Sequence, residues 1–251
     1  SLEMPENTDV DKIVAALEHL ADVHPQLKVH FETREDNVVQ VCDPGQAVEV
    51  PVQEMDMDGL ELEKEQFVRP FHLGKGPLYR FKIVKIPKKI VLLLDIHHLV
   101  ADGGSVDLFI QQLCSLIEGK EIGKEACGYI QFALEQKEEE NGIGFRKSKE
   151  FFAKSLSECE GCSELPEDFK AKAEEGKSAR LHFPFNLAQV EELSKELEIT
   201  SAHLMLGVAF YTLHRYTNNR NVYIATVSNG RSNLKIAETV GMFVNTLALH
   251  G

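Results

Sequence analysis

The chain has 251 residues, of which 43% are hydrophobic and 27% charged, and its formal net charge is −13. This composition is typical of a soluble globular protein with one large or two modest domains. The acidic balance argues against a nucleic-acid-binding surface, and no apolar run approaches the roughly 20 residues of a membrane-spanning helix. The five cysteines are odd in number and irregular in spacing, so we expect a reduced, cytoplasmic chain without a disulfide framework.

The first elements are predicted to be a helix, three short strands and a second helix. Thr8 is placed to cap a helix over residues 8–23, in which apolar residues recur on one face and after which Pro25 prevents continuation. Strand character follows in the sequences KVHFE, NVVQV and VEVPV. Residues 59–68 are predicted to form the second, short helix.

Two adjacent strands with different patterns come next. Residues 78–86 alternate between apolar and polar, whereas residues 89–98 are almost entirely apolar up to Asp95. Pro87 and Lys88 between them indicate a tight hairpin. Because the second strand is apolar on both faces, we expect it at the centre of a sheet that is covered on both sides.

Helices and a linker complete the first region. Ser105 is predicted to cap a helix that ends near Glu118, and residues 129–140 and 145–156 also have helical patterns. Residues 158–178 are rich in Glu, Lys, Gly and Ser, which predicts a linker. The predicted domains are therefore residues 1–157 and 179–251.

A cysteine pair lies within the predicted linker. Cys159 and Cys162 form a CxxC sequence, which occurs in zinc sites when a second ligand pair follows. No such pair follows at a suitable spacing, so we expect no metal site.

The second region is predicted to contain two helices between strands. Asn186 is placed to cap a helix through Leu197. Thr200 or Ser201 is placed to cap another through Tyr216. The predicted strands are residues 179–185, 222–228 and 240–249, with a polar loop at residues 231–237. The face of the second helix that we expect to be buried includes Leu204, Val208, Tyr211 and Leu213.

Two adjacent histidines end the apolar strand. Side chains alternate along a strand, so His97 and His98 are expected on opposite faces, which argues against a shared metal ion. Asp102, Gly103 and Gly104 follow at the turn into a helix, where glycine permits close backbone approach and free N–H groups can receive developing negative charge. These are the elements of an acyl-transfer site. The alternative is a buried core histidine beside a capped turn.

A resemblance favours the acyl-transfer interpretation. The sequence HHLVADG at residues 97–103 resembles the HHxxxDG motif of the condensation domains of nonribosomal peptide synthetases and, more widely, of chloramphenicol acetyltransferase-like acyltransferases. Three further segments are similar to family motifs in the same order: HPQLKVHF (24–31) to RHxxLRTxF, RPFHLGKGPLYRFKI (69–83) to PFDLxxGPLxR, and SNGRSNLKIAETVGMFVNTLAL (228–249) to an SGR segment followed by VGxFVNT. GYIQFALEQ (128–136) matches YxDYAxW weakly.

The resemblance implies an α/β fold built of α+β sandwich lobes. The family has two chloramphenicol acetyltransferase-like lobes in a V, with the active site in a tunnel between them. This chain would hold the first lobe and part of a second, similar one, because the family's opening motif and everything after VGxFVNT are missing. Open strand edges in such a fragment would allow self-association. His250 departs from the family pattern, which usually has Arg there.

The resemblance also implies a reaction. An acceptor aminoacyl thioester attacks a donor acyl or peptidyl thioester to form an amide bond. Both substrates are carried on the 4′-phosphopantetheine arms of carrier protein domains, and an adenylation domain is expected as a neighbour. The chain itself is expected to bind no cofactor, nucleic acid or membrane.

Site residues are assigned from the matched motifs. His98 is the catalytic candidate; it either removes a proton from the attacking amine or orients the amine by a hydrogen bond. The N–H of Gly103 or Gly104 would face the oxyanion. His97 is expected to be structural, and Asp102 to hold the turn through a buried pair with Arg231.

Two more residues are assigned to the substrate tunnel, namely Ser105 and Asn245. Two other functions remain open at this point. A stand-alone acyltransferase of the same superfamily would use coenzyme A thioesters, and a non-catalytic member would only dock carriers. Epimerisation domains share HHxxxDG but differ in the GMFVNT segment, and heterocyclisation domains replace the first histidines by aspartate.

Overall fold

The computed structural model describes residues 1–157, 180–184, 186–231 and 233–251. The chain divides into two compact units, which are unit 1 (Ser1–Asn141 and Asn229–Asn245) and unit 2 (Gly142–Ser228 and Thr246–Gly251). This division differs from the predicted domains, residues 1–157 and 179–251, because residues 229–245 hydrogen-bond to the turn after the two histidines. The predicted linker, with Cys159 and Cys162, lies outside the described residues.

Strands and helices alternate irregularly along unit 1. Its elements are β1 (Leu2–Pro5), α1 (Val10–Val23), β2 (Val29–Arg34), β3 (Asn37–Cys42), β4 (Val52–Glu54), α2 (Met57–Phe67), β5 (Tyr79–Ile86), β6 (Lys89–Ile96), α3 (Gly103–Ile117) and α4 (Tyr129–Glu139). Those of unit 2 are α5 (Ile143–Ser155), α6 (Leu187–Glu196), α7 (Ser201–Thr217), β7 (Tyr223–Ser228) and β8 (Asn245–His250), whose first residue belongs to unit 1. None of the helices in the described part of the chain has the length and apolar character needed to cross a membrane.

A four-stranded sheet in the order β1–β6–β5–β4 forms the centre of unit 1. β5 and β6 are antiparallel, with Tyr79 opposite Ile96 and Ile86 opposite Lys89. This register confirms the hairpin that Pro87 and the following lysine predict. β4 runs parallel to β5, while β2 and β3 form a separate two-stranded sheet and β7 pairs with β8 in unit 2.

Helices cover both faces of this sheet. On one face, α1 and α3 contribute Leu17 and Phe109 to a core that includes Leu92 of β6. On the other face, α2 packs Leu60 against Val91 and its neighbours. Side chains of β6 are therefore buried on both sides, which confirms the predicted central strand.

Several helix starts differ from their predicted positions. Asp9, not Thr8, caps α1, since its side chain accepts a hydrogen bond from the N–H of Asp11 at 3.0 Å. Asp102, not Ser105, caps α3, and Ser105 lies inside the first turn. A short polar residue near a helix start is a cap only where the backbone is still extended, and the sequence pattern does not locate that point to one residue.

The second region is also corrected in part. Asn186 and Thr200 cap α6 and α7 as predicted. Residues 180–184 form no strand, and β8 begins only at Asn245, so residues 240–244 are a loop. Apolar residues in this loop imitate a strand pattern, but their hydrogen bonds go to side chains of unit 1 instead of a neighbouring strand.

Candidate active site

The site begins where β6 ends at Ile96 and the chain turns sharply. The N–H of His97 still donates to the carbonyl of Leu78 at 2.8 Å, as the last bond of the hairpin. The N–H of Val100 then donates to the carbonyl of His97 at 3.0 Å, which closes a turn over residues 97–100. The two histidines thus lie in a turn after the strand, not within the strand as predicted.

The His97 ring stabilises this turn. Its Nδ1 accepts a hydrogen bond from the N–H of Leu99 at 3.1 Å, and its edge meets the ring of Phe71 with centroids 5.7 Å apart. Phe71 in turn lies 3.7 Å below the guanidinium carbon of Arg80, which pairs with Asp95 at 2.8 Å. The hydrogen bond from Leu99 therefore engages Nδ1, whose lone pair would otherwise be free to accept a proton.

The His98 ring, by contrast, is exposed. Within the described ranges, no hydrogen bond or ion pair involves this ring. Its nitrogens are therefore accessible to a ligand, as a group that accepts or donates a proton must be. The core-histidine alternative does not fit a side chain in this environment.

Asp102 is 2% exposed and collects hydrogen bonds from three residues. Oδ1 accepts from the N–H of Ser105 at 2.7 Å and from Nη2 of Arg231 at 3.0 Å, and Oδ2 accepts from the N–H of Phe243 at 2.9 Å. The pairing of Asp102 with Arg231 that the sequence predicts is observed. Burial alone would raise the pKa of Asp102, but the bonds from Phe243, Ser105 and Arg231 outweigh it and lower the pKa below its usual value.

Ser105 is completely buried, and its hydroxyl lies inside the same network. Oγ is 2.8 Å from Asp102 Oδ1 and 2.7 Å from the carbonyl of Gly241, so its single proton has two acceptors. It accepts from Arg231 Nη2 at 2.7 Å and from the N–H of Gly241 at 3.0 Å. The predicted place of Ser105 in a substrate tunnel is therefore corrected, because no part of this side chain is free to meet a substrate.

Arg231 belongs to the second segment of unit 1, Asn229–Asn245, and completes the hydrogen-bond network around Asp102. Its Nη1 donates to the carbonyls of Ile236 at 3.0 Å and Thr239 at 2.8 Å, and its guanidinium carbon lies 4.2 Å from the centroid of the Phe243 ring. The charge is thus paired, hydrogen-bonded and packed on an aromatic face. This arrangement fixes residues 231–243 against the start of α3.

The first turn of α3 is open at its glycines. Gly103 and Gly104 are exposed, and in the part of the chain that the structure describes their N–H groups have no acceptor. A methyl group on Gly103 would meet no atom within 4 Å, whereas one on Gly104 would lie 3.3 Å from Arg231 Nε. Free N–H groups at a helix start attract negative charge, so this terminus is suited to receive an oxyanion.

Glycine is required at two positions of the second segment. A Cβ on Gly241 would lie 2.1 Å from the ring of Tyr129, and one on Gly230, whose φ is +65°, would lie 1.9 Å from the carbonyl oxygen of Phe243. The Tyr129 hydroxyl donates to the carbonyl of Met242 at 3.0 Å. The backbone of this segment therefore lies directly on the aromatic side chains of α4 and cannot move away from the Asp102 turn.

The other predicted site residue, Asn245, is exposed at the start of β8. Its Nδ2 lies 3.4 Å from the carbonyl of Phe243. The network also contains His24, Glu125 and Thr239, which sequence reasoning missed. His24 lies in a segment that resembles a family motif, but no pattern in the sequence points to Glu125.

Within the described ranges, no group of three or more His, Cys, Asp or Glu side chains is arranged to hold a metal ion.

Known proteins are similar to this chain over almost its whole length. The condensation domain family matches residues 1–250. Surfactin synthase subunit 2 of Bacillus subtilis (strain 168) is 30% identical over 254 residues, covering 99% of this chain and 7% of that protein. Bacitracin synthase 1 of Bacillus licheniformis is 27% identical over 246 residues, covering 96% of this chain and 5% of that protein. The chain thus spans a small part of the relatives it matches.

A solved structure supports the fold. The epimerization domain from the third module of tyrocidine synthetase B superposes with a TM-score of 0.86 at 17% identity, covering 99% of this chain and 62% of that one. This likeness confirms the predicted chloramphenicol acetyltransferase-like α/β fold class. Because the family match extends over almost every residue, the chain belongs to the condensation domain family.

Proposed function

We propose that this chain forms amide bonds as a condensation domain of a nonribosomal peptide synthetase. The substrates are a donor acyl or peptidyl thioester and an acceptor aminoacyl thioester, each on the 4′-phosphopantetheine arm of a carrier domain. Bacitracin synthase 1 and surfactin synthase subunit 2 match over 96% and 99% of the chain, which spans 5% and 7% of them. Such a share is expected of one domain in a long multidomain enzyme that also holds carrier and adenylation domains.

One observation carries the proposal: the exposed imidazole of His98 and the open helix start at Gly103 lie five residues apart in the chain, with the buried Asp102 between them. In the reaction, the amine nitrogen of the acceptor attacks the carbonyl carbon of the donor thioester. The carbonyl oxygen becomes an oxyanion, which the N–H groups of Gly103 and Gly104 are placed to receive. The carbon–sulfur bond then breaks, and the donor arm leaves as a thiol with the proton that the amine has lost.

His98 is the proposed catalytic group. It either takes the proton from the attacking amine or holds that amine in place by a hydrogen bond. General-base assistance contributes about 10²–10⁴-fold to such a step. His97 is unsuited to the role because its Nδ1 already accepts the N–H of Leu99. Asn245 is proposed to contact the substrate, since its amide is exposed and makes only a 3.4 Å contact with a neighbouring residue.

The test uses the full-length protein with separately loaded donor and acceptor carriers. Amide formation is followed by mass spectrometry of the acceptor arm. His98→Ala is expected to lower the rate by about 10²–10⁴-fold. The matched control is His19→Ala, which removes an exposed imidazole of α1 and is expected to leave the rate unchanged.

Other outcomes would identify other functions. An unchanged rate in His98→Ala would exclude catalysis by this ring. Turnover with coenzyme A thioesters alone would identify a stand-alone acyltransferase. Inversion of the acceptor's α-carbon without amide formation would identify an epimerisation domain, and carrier binding without any product would identify a docking module.

A further inference from the structure

A second buried cluster connects α1 and α3 to the segment that contacts Asp102. It consists of His24, Gln112, Glu125 and Val240 and is called the His24 cluster below. His24 is completely buried; its Nδ1 lies 2.6 Å from Glu125 Oε1, and its Nε2 lies 2.6 Å from Gln112 Oε1. The same Glu125 oxygen accepts from the N–H of Val240 at 2.9 Å. One carboxylate oxygen therefore joins an imidazole to the backbone of residue 240.

Burying the polar groups of the His24 cluster costs desolvation free energy. His24 Nδ1 faces a carboxylate oxygen of Glu125 and Nε2 faces the side-chain oxygen of Gln112, so an imidazole, a carboxylate and an amide are buried against one another. The Glu125 side chain is 5% exposed, and its Oε2 has no partner among the described residues. Apolar side chains of similar volume usually stabilise a core as well as buried polar or ionic groups do, or better. Stability alone therefore does not account for these residues.

Position along the chain suggests what the cluster does. Val240 immediately precedes Gly241, whose N–H and carbonyl both contact Ser105 Oγ. Three residues after Val240, the N–H of Phe243 reaches Asp102 Oδ2. The four residues 240–243 are thus held by Glu125 at one end and by Asp102 at the other.

Two further hydrogen bonds fix the position of residues 240–243. Thr239 Oγ1 donates to the carbonyl of Cys127 at 2.7 Å, and the Tyr129 hydroxyl donates to the carbonyl of Met242 at 3.0 Å. Glu125 and Cys127 lie in the loop between α3 and α4, and Tyr129 is the first residue of α4. The chain that follows α3 therefore sets the register of the segment against the start of α3.

We propose that Glu125 and His24 are positioning residues for the condensation reaction. Glu125 holds the N–H of Val240 and His24 holds Glu125, and together they set the register in which Phe243 and Gly241 hold Asp102 and Ser105. That register fixes the start of α3, which carries the open N–H groups of Gly103 and Gly104. The inference rests on the proposed function for its kinetic consequences, but the register itself is measurable without any turnover.

The kinetic test compares Glu125→Leu and Glu125→Gln in the full-length protein, at a temperature where circular dichroism shows both to be folded. Glu125→Leu removes the acceptor of Val240 and is expected to lower kcat about 10–100-fold while KM changes less than about threefold, because small misplacements act on the reacting geometry. Glu125→Gln keeps an oxygen acceptor and is expected to retain kcat within about threefold. The matched control is Glu121→Leu in the same loop, where the glutamate is exposed and the rate should not change.

Two kinetic results would overturn the inference. One is a kcat of Glu125→Leu that equals that of Glu121→Leu. The other is a loss in Glu125→Gln as large as that in Glu125→Leu, because the charge and not the contact with Val240 would then matter. A variant that lowers only the melting temperature, with kcat unchanged in the folded protein, would likewise reduce the role to packing.

Hydrogen exchange tests the register independently of activity. Residues 239–243 and the hydrogen-bonded amides of Ser105 and Val106 are expected to exchange about tenfold faster in Glu125→Leu and a few-fold faster in Glu125→Gln, since neutral acceptors bind N–H groups more weakly than carboxylates. Exchange in Glu121→Leu should match the unsubstituted protein. If Glu125→Leu does not fold, the exchange of Glu125→Gln decides, and no change there contradicts the inference. Absence of amide product from the unsubstituted protein would refute the proposed function but leave this exchange result valid.

Discussion

Unit 1 and unit 2 contain helices of similar length that differ in how much they bury. α3 has 15 residues and places Phe109 and Leu113 in the core at 1% exposure each. α7 has 17 residues and buries none, and its Val208 and Tyr211 are 50% and 65% exposed although the sequence pattern predicts a buried face. A polar cap and helix-forming residues favour a helix, but burial of one of its faces requires an opposing surface. In unit 1 that surface is the four-stranded sheet, whereas β7 and β8 form a sheet of only two strands.

The helix caps of the two units show the same contrast. Asp102 caps α3 and is bonded by Arg231 and Phe243, which are more than a hundred residues away along the chain. Thr200 caps α7, and among the described residues its side chain bonds to His203 in the same turn. A cap with distant partners fixes one part of a unit to another, and this is the part that holds the candidate site. A local cap only starts a helix.

The largest expected effect distinguishes the buried face of α3 from the exposed face of α7. Phe109→Ala is expected to lower the free energy of unfolding by about 3–5 kcal/mol, because it removes a fully buried ring and leaves a cavity. Tyr211→Ala, on the predicted but exposed face of α7, is expected to cost less than about 1 kcal/mol. Urea denaturation followed by circular dichroism measures both. Equal losses would show that α7 has an apolar partner in solution and would remove the contrast between the units.

A smaller effect distinguishes Asp102, the charged cap of α3, from Thr200, the uncharged cap of α7, by the pH dependence of the free energy of unfolding. The hydrogen bonds to Asp102 lower its folded pKa, so its contribution is complete above the unfolded pKa of about 3.9 and is lost as pH falls through the folded value. Hydrogen bonds to a charged group are each worth about 1.5–3 kcal/mol, and a loss of this size is expected on acidification from about pH 5. Asp102→Asn should remove this part of the acid dependence.

Other carboxylates titrate in the same range, so the acid experiment needs a matched substitution. Asp107→Asn changes an exposed aspartate of the same helix and should leave the acid dependence as it is in the unsubstituted protein. Unfolding free energies of all three proteins between about pH 5 and pH 2.5 give the comparison. An acid slope of Asp102→Asn that equals that of Asp107→Asn would mean that the buried carboxylate gains nothing from its partners.

Part of this contrast could be predicted from the sequence. The apolar pattern of residues 89–98 predicted a strand buried on both faces, and Pro87 predicted its hairpin. Family motifs predicted the pairing of Asp102 with Arg231 across 129 residues. These features depend on local pattern or on a matched motif, both of which are present in a single chain.

The rest depends on contacts between distant segments. Residues 240–244 have the composition of a strand, but their N–H groups bind side chains such as Glu125 and Asp102, which no local pattern reveals. Ser105 looks like a helix cap because serine favours that position, yet an aspartate three residues earlier takes it. The sequence pattern overestimated the burial of α7, because periodicity shows which face of a helix can be buried but not whether another element packs against that face.

The smallest effect tests whether the cap of α7 is as local as its contacts indicate. Thr200→Ala removes an oxygen that accepts from the N–H of His203 at 3.2 Å, and it is expected to cost about 1 kcal/mol, with Thr200→Ser as the control that keeps the acceptor. Exchange of the first-turn amides of α7 should rise in Thr200→Ala, while the hydrogen-bonded amides of Ser105 and Val106 in unit 1 stay protected. Faster exchange in both places would mean that the start of α7 is linked to the Asp102 turn, and the distinction between a local and a distant cap would then be wrong.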